Sequence, residues 1–175
     1  MLKEGRQFRD IGHQTALKQA QQAVRKCDRF IRKIVNVNNM KRRLLEVFPL
    51  YPIPNVVNLM RGHGLEEWDD ILPLVGQNWV TVSKDTAYME HHYTFPCWLM
   101  PEAYLYYLPS VILYTYRYAE ENISIPEVCY HMISVMKDNV LGVDFAKLST
   151  THIQVIEEWF AYVKQIEQME LDSVK

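Results

Sequence analysis

Glycine is scarce in this chain, with six residues in 175, and none of the six belongs to a glycine-rich loop. Loops that cradle phosphates or dinucleotides need clustered glycines so that the backbone can approach the ligand, and that spacing is missing. Cysteine is scarcer still: Cys27, Cys97 and Cys129 stand alone, without a CxxC pair. A closed zinc site needs four clustered ligands, so that class is excluded. An odd number of isolated cysteines, with no secretory leader ahead of them, leads us to expect reduced thiols in a cytoplasmic protein. Long apolar runs are also missing. A bilayer span takes ~20 apolar residues, and the uncharged stretch Ala103–Tyr116 is bounded by Glu102 and Arg117 and broken by Pro109. It reads as a buried helix, and no membrane association is expected. Neither GxSxG nor HExxH occurs, which removes the common signatures of α/β-hydrolases and zinc proteases.

Charge is present in quantity but unevenly placed. The first 43 residues hold 12 Lys and Arg against 3 acidic residues, a net +9, and the remaining residues hold 7 against 18, a net −11. A basic segment therefore precedes an acidic body. The two could attract each other, or each could serve a charged partner. At 49% hydrophobic residues the chain has the composition of a folded domain, and its length suits one ordinary core.

Hydrophobic periodicity makes the chain mainly α. Leu17, Ala20, Val24, Cys27, Ile31 and Ile34 step by three and four along one face of a long N-terminal helix, covering 1–37 as a basic amphipathic segment. That stripe would pack on its own domain or form a homodimer. Residues 38–170 are expected to form an acidic α-helical domain. Asn38 or Asn39 caps a short helix ending before Pro49. A proline-rich turn follows, then a brief helix stopped by Gly62. A further helix carries Trp68, Ile71 and Leu72 on one face and ends before Pro73. Val and Thr in the stretch 79–83 leave room for at most a minor β element there. Pro101 and Glu102 start a central helix that Pro109 should bend or split. Its core residues are Tyr104, Tyr107, Leu108, Pro109 and Val111, within a stretch holding six of the chain's 11 tyrosines. Ser124 and Glu127 have the spacing of a capping box for the next helix, whose buried side is Val128, Met132, Val135 and Met136. Ser149 or Thr150 starts the last helix, with Ile153, Ile156, Phe160, Val163 and Ile166 as its stripe.

Few constellations suggest chemistry. His91 and His92, with His63 and Glu66, are the grouping nearest to a metal site. Adjacent histidines point apart on a helix or strand, so they read as solvent-exposed loop residues, and neither metal nor cofactor is expected. Glu66, Glu67, Asp69 and Asp70 surround Trp68 as an acidic outer face, and these five residues are the candidate partner-binding set. The candidates for contact with phosphate or an acidic partner are Arg25, Lys26, Arg29, Arg32 and Lys33. No catalytic residue is assigned.

Trp68-x-Asp70-Ile71 followed by Phe95 and by Pro101-Glu102-Ala103-Tyr104-x-Tyr106-Tyr107-Leu108-Pro109-Ser110 resembles a bacterial domain family of unknown function, with Leu105 where that family carries arginine. The likeness extends over roughly residues 38–168. It implies a small α-rich cytoplasmic domain with no assigned activity. Similar small acidic bacterial domains resemble immunity proteins, which act by binding a toxin. The expectation is a non-enzymatic protein-binding domain, immunity- or antitoxin-like, that neutralises a basic partner. The alternatives are a nucleic-acid-associated protein that uses the basic helix and an enzyme with an unrecognised site.

Overall fold

The computed structural model describes residues 37–55 and 65–173, including their side chains except those of 65–67 and 173. The stripe Leu17, Ala20, Val24, Cys27, Ile31 and Ile34, the basic set Arg25, Lys26, Arg29, Arg32 and Lys33, the short helix before Gly62, and His63 lie outside the described residues. So do the side chains of Glu66 and Glu67. The chain divides into two compact units, Met1–Asn38 and Asn39–Lys175, and the architecture below is that of the second.

Eight α-helices account for the described residues, with no β-strand among them: α1 (37–47, of which 39–47 belong to this unit), α2 (Leu65–Ile71), α3 (Trp79–Val82), α4 (Thr86–His91), α5 (Phe95–Trp98), α6 (Pro101–Asn122), α7 (Glu127–Asp138) and α8 (Thr150–Ser173). Short 3₁₀ turns lie at Leu72–Leu74 and Phe145–Lys147. The mainly α fold read from periodicity is the observed one. No helix among the described residues is long and apolar enough to cross a membrane.

The centre of the unit is α6. Every residue from Tyr107 to Tyr116 is buried, so the helix has no solvent face over nearly three turns. A helix that is apolar all round belongs in a core. Its buried serine and threonine hydroxyls are absorbed locally, Ser110 Oγ donating to the Tyr107 carbonyl at 2.6 Å and Thr115 Oγ to that of Val111 at 2.7 Å. Pro101 opens the helix, and Ile123, in the left-handed region at φ 53°, closes it by donating its N–H to the Ala119 carbonyl. Pro109 does not split it: α6 runs unbroken through the proline. Helices α3 and α7 pack on α6, α2 packs on α5, and α4 and α5 pack on α7. Helix α8 is held by a parallel ring stack of Tyr116 on Tyr162, with centroids 4.0 Å apart, and by an ion pair between Arg43 of α1 and Glu158.

Several local expectations are corrected. The stretch 79–83 is helical. Asn78 accepts the Thr81 N–H on its side chain at 3.0 Å, and this cap overrides the β preference of Val80, Thr81 and Val82. Asn38 and Asn39 lie inside α1, which has already begun at residue 37. The Ser124–Glu127 capping box does not form, because Pro126 occupies the N-cap position and Glu127 is already the first residue of α7. Leu72 is 51% exposed, since the chain tightens into a 3₁₀ turn after Ile71 and buries Leu74 instead. On α8 the buried face is Val155, Ile156, Trp159, Val163 and Ile166, while Ile153 is 43% exposed and Phe160 only half-buried. The start of α8 is as expected: Ser149 Oγ accepts the His152 N–H, and the Ser149 N–H reaches back to His152 Nδ1.

Candidate functional site

Five of the six tyrosines of α6 fall into two sets, three whose hydroxyls bond backbone carbonyls and two that line a cavity. Tyr104 donates to the Met132 carbonyl at 2.7 Å and Tyr106 to that of Leu50 at 2.6 Å. Tyr107 donates to both the Leu74 and the Gln77 carbonyls, at 2.9 and 3.0 Å. These three pin neighbouring segments to the central helix, and Trp79 adds a fourth pin by donating its indole N–H to the Pro49 carbonyl at 3.2 Å. Loss of water around the rings pushes their ionisation upward, that of Tyr106 to about 12. They are structural groups, as expected for Tyr104 and Tyr107; Leu108, Pro109 and Val111 are buried beside them.

The second set lines a cavity. Tyr114 and Tyr118, one turn apart on α6, meet Met89 and Glu90 of α4, Tyr93 from the turn after α4, and Pro126 and Glu127 at the head of α7 around a pocket of about 140 Å³. The spacing of four residues puts both α6 rings on the same face, with centroids 5.7 Å apart and planes at 47°. Tyr114 is only 2% exposed, yet its hydroxyl lies 3.5 Å from Glu90 Oε1, at the outer limit of a hydrogen bond. Burial first, then the Glu90 carboxylate, Tyr118 and Glu121, holds its ionisation far above the usual tyrosine range. Glu90 and Glu127 are exposed, so both carboxylates face water at the cavity rim. Among the described residues no basic side chain lines it.

Next to this pocket lies the corner between α4 and α5, which settles the expected acidic face. Asp70 is not on an outer surface: its side chain is 20% exposed, bonded to His92 Nδ1 at 2.8 Å and accepting the Thr94 hydroxyl at 2.6 Å. Its backbone carbonyl accepts the Tyr88 hydroxyl at 2.6 Å, and Tyr88 stacks on His92. This network joins α2 to the corner, so Asp70 and His92 serve to hold the fold together. His92 is therefore no free loop histidine, whereas His91 is exposed at the end of α4. Of the other candidates, Trp68 is half-buried and Asp69 exposed.

A cysteine and a histidine also meet here. Cys97 Sγ lies 3.6 Å from His131 Nδ1, and the Tyr93 ring lies against the same imidazole, with centroids 5.5 Å apart. A nucleophilic thiol needs a lowered pKa. Burial pushes the Cys97 thiol up, and it pushes that of Cys129 up to about 12. The pair thus lacks the electrostatics of an activated thiolate. Among the described residues no group of three side chains could hold a metal ion.

Two further hollows are open. One of about 470 Å³ lies between the start of α6 and the segment through Gly142, Asp144 and Lys147, where Lys147 pairs with Asp144 at 3.5 Å. The other, about 200 Å³ between α7 and α8, is lined by Tyr130, Ile133, Phe160, Lys137, Lys164 and Glu167. Neither matches the tyrosine pocket in concentration of one charge sign.

Sequence reasoning did not anticipate the pocket. Helical spacing places Tyr114 and Tyr118 on one face of α6, but it does not say that Glu90 and Glu127, far apart along the chain, close over that face. Compared with family models, with curated proteins and with solved structures, the chain matches none.

Proposed function

We propose that this protein is a non-enzymatic binding domain that engages a basic partner protein, in the manner of an immunity or antitoxin protein that neutralises its target by occupying it. The observation that carries this reading is the pocket of Tyr93, Tyr114 and Tyr118 with Glu90 and Glu127 at its rim. Aromatic faces and carboxylates attract the same kind of group, a cation, the former through their ring quadrupoles and the latter through charge. A cavity of 140 Å³ is too small for a typical small-molecule site of roughly 300–1,000 Å³. It is the right size for the end of one side chain, with the rest of the partner lying on the surface around it.

The surrounding charge supports the same reading. Beyond Arg43 the chain carries 18 acidic against 7 basic residues, an excess that would speed encounter with a basic protein and repel nucleic acid. Burial pushes the Cys97 and Cys129 thiols up, which does not favour thiolate chemistry at either.

The test is calorimetric titration of the full chain with a short arginine- and lysine-rich peptide, an acidic peptide of equal length, and duplex DNA. The expected result is binding to the basic peptide that weakens as salt rises, with none to the acidic peptide. Failure to bind the basic peptide at low ionic strength overturns the proposal. Binding to DNA alone would move the reading to the basic N-terminal segment.

A further inference from the structure

The tyrosine pocket also carries information about which cation it takes. We infer that it is a receptor for an arginine side chain, with guanidinium favoured over the ammonium of lysine. The inference rests on the binding reading above and narrows it to one chemical group.

Three features argue for guanidinium. The first is the origin of the two carboxylates. Glu90 belongs to α4 and Glu127 to the first turn of α7, so they approach the cavity from separate elements. An ammonium is a compact point charge, whereas guanidinium is a flat fork with five N–H donors that can address two acceptors at once.

The second feature is the walls. Tyr114 and Tyr118 present rings 5.7 Å apart at 47°, with Tyr93 as a third ring. A planar cation can lie on one ring while its edge donates to the rim, which a tetrahedral ammonium does less well. A quaternary ammonium could use the rings, but it has no N–H for the carboxylates.

The third feature is the Tyr114 hydroxyl. The other hydroxyls of the helix that reach backbone carbonyls do so at 2.6 to 3.0 Å, and this one reaches Glu90 only at 3.5 Å. A nearly buried phenol so loosely held can turn to accept an incoming N–H. The guanidinium would then sit between Glu90 and Glu127, with the Tyr114 oxygen as a third acceptor.

The experiment uses the full chain with its tyrosine rings isotopically labelled, followed by NMR during titration with the capped amino acids N-acetylarginine amide, N-acetyllysine amide and N-acetylcitrulline amide. Citrulline keeps the planar shape without the charge. Arginine is expected to shift the ring signals of Tyr93, Tyr114 and Tyr118 and to bind at least about five-fold more tightly than lysine, with citrulline silent. In the Glu90→Gln/Glu127→Gln variant the arginine affinity should fall by about ten-fold or more. Both carboxylates are exposed and both replacements are isosteric, and circular dichroism checks that the fold is unchanged. Lysine binding as tightly as arginine at these rings overturns the inference while leaving the basic-partner reading intact. Silence of the pocket tyrosines with both cations, or shifts that the double variant leaves unchanged, overturns both.

Discussion

Tyr107 concentrates the structural logic of the central helix in one side chain. Its hydroxyl serves two carbonyls, those of Leu74 and Gln77, from a position without solvent access. Removing the hydroxyl takes a buried donor from both carbonyls, of which that of Leu74 still accepts the Gln77 N–H at 3.0 Å, a cost of about 1–3 kcal/mol. Tyr107→Phe should therefore lower the urea midpoint clearly while leaving the helical signal of the folded state unchanged; an unaltered midpoint would show that water replaces the bond. Helical spacing was enough to mark Tyr104, Tyr107, Leu108 and Val111 as core. It was not enough for Asp70, which a run of four acids within five residues made look like part of a solvated face. What buries it is the return of the chain at His92 and Thr94, more than 20 residues later, with side chains that bond the carboxylate from both sides. Local pattern carries no information about such a partner.

At the scale of the element, α3 is the instructive case. Its four residues, Trp79–Val82, have the composition of a strand and the structure of a helix. The cap at Asn78 and the burial of Trp79 and Val82, three apart on one face, outweigh the preference of the β-branched residues. Asn78→Ala should then cost about 1 kcal/mol and loosen the attachment of α3. Hydrogen exchange at the Thr81 amide, whose bond to Asn78 is lost, should accelerate more than exchange in α6. Equal acceleration everywhere would mean that the cap acts only on global stability. The long helices were legible because their caps and periodicity agree, as Pro101 and Glu102 do for α6. The start of α7 was misread because a Ser-x-x-Glu spacing counts as a capping box only if the serine occupies the N-cap, and Pro126 holds that position.

At the scale of the whole molecule, the tyrosines make the fold sensitive to alkali. Burial is the first cause that pushes Tyr106, Tyr116 and Tyr162 from the ordinary value of 10 to about 12, helped at Tyr116 by Tyr162 and at Tyr162 by the Glu120 carboxylate. A phenol whose folded pKa is raised is held as the neutral form more firmly in the folded state than in the unfolded chain. Its contribution to stability is thus intact below pH 10 and is lost as the pH climbs through about 12. Tyrosinate absorbance and helical circular dichroism should change together, as one cooperative transition in that window. Independent titration of the rings with helicity retained would contradict it.

The same scale carries the functional claim, that the position of the acidic groups matters beyond their number. The direct measurement compares two variants of equal charge change, Glu90→Gln/Glu127→Gln at the pocket and Glu46→Gln/Glu157→Gln at exposed sites elsewhere, by titration with the arginine- and lysine-rich peptide at one ionic strength. The account predicts that the pocket variant loses about ten-fold in affinity and the control variant less than about two-fold. Equal losses in the two variants would contradict it, reducing the protein to a diffuse acidic surface with no site at Tyr114.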